Sequence, residues 1–168
     1  MFYEPILSLL IQNQVRFAVV GGVAVVLHGV MRFTADLDIV VDLEEGNLRR
    51  LIESMEQLHY RPRLPVDPKS FMNPDIRTEW INNRDLKAFT FWNPELGHRE
   101  VDVLLSESEN ADLFKHATVV VAGSLEIPVV SIDDLIAMKL RSGRKRDYDD
   151  VAALRKVREI SRIDYGTR

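Results

Sequence analysis

The run FAVVGG at residues 17–22, followed by DLDIVVD at residues 36–42, most narrowly limits what this chain can fold into. An apolar run that stops at two glycines reads as a buried strand entering a tight turn. DLDIVVD reads as a second strand in which two aspartates interrupt residues that would otherwise be buried. Side chains alternate faces along a strand, so Asp36 and Asp38 are expected on the same side, roughly 7 Å apart along the backbone. Two carboxylates on one face repel each other, and each loses free energy on leaving water. A chain that keeps them there either leaves them at a solvent-facing strand end or sets a positive partner beside them.

A third carboxylate favours the second alternative. Asp102 interrupts the apolar run Val101–Val103 in the same manner. Three clustered carboxylates without a counter-charge would be driven toward protonation, and a divalent cation removes that problem. Hard oxygen ligands suit Mg²⁺ or Mn²⁺, and two such ions about 3.5–4 Å apart can clamp the attacking and leaving oxygens of a phosphoryl or nucleotidyl transfer. Gly21 and Gly22 lie at the strand-to-helix junction, where missing side chains either let phosphate oxygens approach backbone N–H groups or simply allow tight packing. Arg32 and Thr34, just before the carboxylates, either contact phosphate or brace the turn.

The remaining segments alternate between helix and strand. Residues 5–13 read as a helix, VAVVLHG as a short helix closed by Gly29, and EEGNLRRLIESMEQLHY as a helix with apolar residues at 48, 51, 52, 55 and 58. RPRLPVDPKSFMNPDIRTEW carries four of the seven prolines and is expected as a loop, either a lid over the site or a surface excursion. KAFTFWN and REVDVLLS read as strands joined by the turn PELGH, and TVVVAG and LEIPVV as two more, after a helix near 108–117. SIDDLIAMKLRS and YDDVAALRKVREI close the chain as helices, the first with Ser131 and Asp134 arranged as a capping box. The expected fold is α/β (α+β): a mixed β-sheet flanked by helices, in a single domain over residues 1–168 whose C-terminal part, about 131–168, is helical.

Within SIDDLIAMKL, Lys139 falls on the apolar stripe of Ile132, Leu135 and Ile136, where it must either snorkel to water or meet an anion. Arg144 and Arg146 are expected either in a solvated turn paired with Asp147, Asp149 or Asp150, or at a substrate. The four histidines show no metal-ligand spacing, and Trp80 and Trp92 are expected in core or rim packing. A formal net charge of −4 gives no global basic field for binding long nucleic acid. The absence of cysteine excludes disulfides, thiolate metal sites and cysteine nucleophiles. No signal peptide and no run long enough for a membrane span is read, so a cytoplasmic protein is expected.

Val20-Gly21-Gly22, Asp36-Leu37-Asp38-Ile39 and Val101-Asp102-Val103 together resemble the nucleotidyltransferase superfamily of the polymerase-beta type. The string Arg32 to Asp38 is similar to the branch holding AbiEii-like toxins and minimal stand-alone nucleotidyltransferases. Met138-Lys139-Leu140 and the run Arg144 to Asp150 resemble the end of that branch, with Arg146 where a lysine is usual. The resemblance implies Gly21 and Gly22 near the nucleotide phosphates, Asp36, Asp38 and Asp102 as metal ligands, and Asp102 helping to remove a proton from the acceptor. It implies an enzyme that moves a nucleoside monophosphate from a nucleoside triphosphate such as ATP to a hydroxyl, releasing pyrophosphate. The acceptor is open between a small molecule, a protein and an RNA end. A partner protein or homodimer is an expected means of bringing it. The alternative is a toxin–antitoxin interaction module with the same fold and little or no catalysis.

Overall fold

The computed structural model describes residues 3–97, 99–105 and 112–165. Seven strands form one sheet in the order β3-β4-β5-β2-β1-β7-β6. Its centre is β1 (Phe17–Val20), antiparallel to β2 (Leu37–Val41), which runs parallel to β5 (Glu100–Leu104). β4 (Ala88–Trp92) and β5 form an antiparallel hairpin, with the short β3 (Arg61–Pro62) on the outer edge. On the other side β7 (Leu125–Val129) is parallel to β1, and β6 (Thr118–Ala122) returns antiparallel to β7. The sheet is therefore mixed, and parallel neighbours require the helical crossovers the chain supplies.

Helices α1 (Glu4–Gln12) and α3 (Glu45–Gln57) pack against one another and turn Ile6, Leu7, Leu10, Leu48, Leu51 and Met55 into the core. Glu44 starts α3 by accepting hydrogen bonds from the N–H groups of Gly46 and Asn47. Asn47 is buried, and its amide is satisfied by the backbone of Arg16 and the carbonyl of Asp42, which ties the start of α3 to the β1–β2 pair. Helix α2 (Gly21–Leu27) follows β1 without a linker. His28 caps it, donating from Nε2 to the carbonyl of Val130 at 2.8 Å, and Gly29 then takes the left-handed conformation at φ +96°.

The proline-rich segment departs from the expectation of a loop or lid. It folds as β3, a 3₁₀ turn (Pro68–Met72) and α4 (Pro74–Arg84), whose starts are capped by Asp67 and Asn73. Phe71 and Trp80 stack on Phe89 of β4 with centroids 4.7 and 5.4 Å away. Proline stands at the first position of both helical pieces, where its missing N–H costs nothing, so the prolines start helices rather than exclude them. Trp92 lies under Arg61 at the sheet margin, 4.9 Å from the guanidinium. α5 (Ile132–Ser142) and α6 (Lys145–Tyr165) pack together at the C-terminal end, α5 opened by Ser131 and Asp134 as expected. The helix expected near 108–117 falls partly outside the described residues; residues 112–115 are helical.

Candidate active site

Strand register brings two of the three aspartates side by side. Asp38 pairs with Asp102 in the parallel β2–β5 ladder, and Asp38 faces Val20 in the β1–β2 ladder, one residue before the Gly21–Gly22 turn. Thr90, opposite Asp102 on β4, donates its hydroxyl to Asp102 Oδ1 at 2.5 Å. Asp36 does not take the strand position expected for it. β2 begins at Leu37, and Asp36 is exposed at the end of the connection from α2, although it lines the same cleft as Asp38 and Asp102.

The glycines are a steric requirement of this arrangement. Gly21 has φ +63°, and a Cβ there would lie 1.9 Å from Asp38 Oδ2. A Cβ on Gly22 would lie 2.4 Å from Thr34 Oγ1. The backbone thus runs against Asp38 on one side and Thr34 on the other, and the Gly22 N–H donates to the Asp38 carboxylate. Thr34 itself bonds the carbonyl of Asp36 at 3.4 Å. Tyr3 donates its hydroxyl to the Ala35 carbonyl and so pins the same connection from the α1 side. Burial, followed by the charge of Asp36, pushes the Tyr3 hydroxyl well above its ordinary acidity range, which keeps it a donor.

Asp38 carries the electrostatic strain. Burial, followed by the charge of Asp102, raises its pKa from an ordinary 3.8 to about 6, against the opposing bond from Gly22 and the more distant Lys139. The cleft around these groups has a volume of about 660 Å³. Its basic side is made by Arg32, Lys139, Arg144 and Arg146, and Leu104, Leu135 and Met138 give it an apolar wall.

Lys139 neither snorkels to open water nor bonds Asp38 or Asp102. Its ammonium bridges Asp147 at 3.0 Å and Asp150 at 2.9 Å, and Asp150 also accepts from Arg32 at 2.5 Å. All four side chains are largely buried, at 6–15% exposure. Burial works to raise the Asp147 pKa, but the hydrogen bonds from Lys139 and Ser142 outweigh it and hold the group below its ordinary value. This network joins α5, α6 and the connection that ends at Asp36.

Asp147 and Asp150 were legible as partners for the arginines of the tail, but their bonds to Lys139 and Arg32 were not. The available signal is their spacing of three on α6, which sets both on one helix face. Thr90 gave no signal, because its role depends on cross-strand register. Arg144 and Arg146 line the cleft, and Arg144 also donates its backbone N–H to Asp147 at 3.2 Å. His28 is a structural cap and His116 contacts Asp134 at 3.2 Å; His98 lies outside the described residues.

Among the described residues, no three His, Asp or Glu side chains are already gathered as a metal cage. The donor set nevertheless suits a hard divalent cation: two register-paired carboxylates facing a cleft, one of them raised in pKa by burial and then by its neighbour, with a third on the cleft wall. Among the described residues no helix is long and apolar enough to cross a membrane.

Several solved structures share the fold. The lincosamide antibiotic adenylyltransferase LnuA in its lincomycin-bound form aligns at a TM-score of 0.61 and 18% identity, over 93% of this chain and 94% of that one. The antibiotic-resistance factor ANT(2'')-Ia aligns in its solution structure at 0.59 and 14% identity, over 97% and 90%. The same protein in complex with adenylyl-2''-tobramycin aligns at 0.59 and 13%, over 98% and 97%. No curated protein matches the chain. The family model of the nucleotidyl transferase AbiEii toxin of type IV toxin–antitoxin systems matches residues 10–165, and the chain belongs to that family.

Proposed function

We propose that the protein is a Mg²⁺- or Mn²⁺-dependent nucleotidyltransferase that moves a nucleoside monophosphate from a nucleoside triphosphate, ATP among them, to an acceptor hydroxyl. The observation that carries this reading is the Asp38–Asp102 register pair, set against a glycine turn that has no room for a side chain and facing a cleft with a basic side. Asp38 and Asp102 would hold the metal, with Asp36 as a third ligand. The metal would neutralise charge on the phosphates as the transfer proceeds.

The chain's own residues divide the remaining tasks. Gly21 and Gly22 let Asp38 and Thr34 close against the turn that would face the nucleotide phosphates, and Arg32, Thr34 and Lys139 form the phosphate-binding side. Asp102, held in place by Thr90, receives the acceptor's proton. The freed oxygen forms a bond to the α-phosphorus, the bond from α-phosphorus to the bridging oxygen breaks, and pyrophosphate leaves with the electron pair. Such a reaction belongs in the cytoplasm, where nucleoside triphosphates are found. The family description favours a second role for the same chemistry, as the toxin of a toxin–antitoxin pair with a cognate partner protein.

Labelled nucleotide tests the reaction. With Mg²⁺ and a cell extract as the acceptor source, label at the α-phosphate is expected to enter product while label at the γ-phosphate leaves as pyrophosphate. Asp38→Asn should abolish the transfer. Product labelled from the γ-phosphate, or equal α-labelling by the variant, would contradict the proposal.

A further inference from the structure

β4 alternates along its length, sending Phe89 and Phe91 into the core and setting Ala88, Thr90 and Trp92 on the opposite face. The rings of Phe71 and Trp80 stack on Phe89, which anchors the strand from its buried side. Thr90 is also held by both neighbouring chain segments: it pairs with Asp102 of β5, and its carbonyl accepts from the N–H of Arg63 at 2.9 Å. A β-branched side chain has few χ1 choices, so a backbone fixed in this way also fixes the Thr90 hydroxyl. That hydroxyl donates to Asp102 Oδ1 at 2.5 Å. Among the described residues no other hydrogen bond reaches the Asp102 carboxylate.

Asp38, opposite Asp102 in the β2–β5 ladder, accepts from the Gly22 N–H. Each carboxylate of the pair therefore has one neutral donor, which orients an oxygen without cancelling a charge. A lysine or arginine in place of Thr90 would have neutralised Asp102 and taken over the role of a cation. Lys139, the ammonium on the cleft wall, is already engaged by Asp147 and Asp150. The sheet order puts Thr90 and Asp38 on opposite sides of Asp102, so the bond draws Oδ1 toward β4 and leaves Oδ2 without a donor. An unheld carboxylate would rotate among several positions, and a cation would have to select one of them at a cost in affinity.

We infer that Thr90 is a positioning residue for the metal site: its hydroxyl fixes the rotation of the Asp102 carboxylate and keeps Oδ2 ready for a divalent cation. The inference rests on the metal-dependent nucleotidyltransferase reading above and adds to it a residue outside the cleft lining. Hydrogen bonds that orient a ligand in this manner typically change metal affinity by about ten- to a hundredfold.

Two substitutions separate the hydroxyl from the methyl. Thr90→Val keeps the branched shape and removes the donor, whereas Thr90→Ser keeps the donor and removes the methyl. The full chain is titrated with Mn²⁺, free ion being followed by its electron paramagnetic resonance signal, and urea unfolding of each metal-free variant checks that it is folded. Thr90→Val should weaken Mn²⁺ binding about tenfold or more, and Thr90→Ser should stay within about threefold of the wild type. A role in packing alone would reverse that order, because only the serine variant leaves a gap. Should Thr90→Val not fold, Thr90→Ala against Thr90→Ser gives the same contrast in the hydroxyl. Wild-type affinity in the variant without the hydroxyl, or a loss in Thr90→Ser as large as in that variant, would overturn the inference. Asp38→Asn distinguishes this from a failure of the reading beneath it, since it should lose Mn²⁺ whatever Thr90 does. No Mn²⁺ uptake by the wild type, or equal uptake by Asp38→Asn, would remove the metal-dependent reading and the role of Thr90 with it.

Discussion

At the scale of single residues the chain accepts strain in the candidate site. Asp38 has a folded-state pKa of about 6 against an ordinary 3.8, so between those values the folded protein binds more protons than the unfolded one. Stability of the metal-free protein should therefore fall as pH rises from about 4 to about 6, and the full penalty, about 3 kcal/mol by the shift, should be present above that window. Asp38→Asn should accordingly raise metal-free stability at pH 7 by about 2–3 kcal/mol and lose that advantage near pH 4, in urea titrations at the two pH values. Equal stability of variant and wild type at pH 7 would refute the assignment of strain to this carboxylate. Gly21 gives a second test, since its left-handed backbone costs any other residue about 1–2 kcal/mol and its Cβ would collide with Asp38. Gly21→Ala should also displace Asp38 and abolish nucleotide binding. Gly29→Ala, at φ +96° with nothing within 4 Å, should carry the backbone cost alone and leave binding intact. The two aspartates and the glycine pair were legible because charge in an apolar run and paired glycines are anomalies that a single sequence displays. The offset of Asp36 was not, because a strand's first residue is set by its neighbours' hydrogen bonds and not by alternation alone.

At the scale of elements, periodicity located most helices and strands, since their apolar spacing reflects the faces they bury. The proline-rich segment was misread because prolines were counted as breakers without asking whether each stood at a helix's first position. Its role in the core is testable: Trp80→Ala should cost about 3–5 kcal/mol in urea unfolding, by removing a ring stacked on Phe89. A surface lid would lose almost nothing. Lys139 shows the complementary limit. Its place on an apolar stripe announced an anionic partner, but the identity of that partner depends on how α6 folds back on α5. Lys139→Met should destabilise the protein by about 3 kcal/mol, because Asp147 and Asp150 would remain buried with less counter-charge. A change below about 0.5 kcal/mol would mean that the network contributes no more than a surface pair.

At the scale of the whole molecule, one sheet brings together groups that lie far apart in the chain: Asp38 and Asp102 through the β2–β5 register, Lys139 and Arg32 through Asp150. No sequence spacing discloses such a pairing. The fold itself was legible, because the motif's resemblance and the mixed sheet agree and the family match spans nearly the whole chain. The central claim is that metal and nucleotide together relieve the repulsion built into the cleft, and ligand that binds only the folded state must raise its stability. The most direct measurement is thermal unfolding of the wild type and the Asp36→Asn/Asp38→Asn variant, with and without Mg²⁺, across ATP, CTP, GTP and UTP. At saturating ligand, about a hundredfold above its dissociation constant, stability should rise by about 2.7 kcal/mol, moving the wild-type Tm by roughly 5–10 °C with metal and at least one nucleotide. The variant should show no such rise; an equal rise in the variant, or none in the wild type with any nucleotide, would contradict the account.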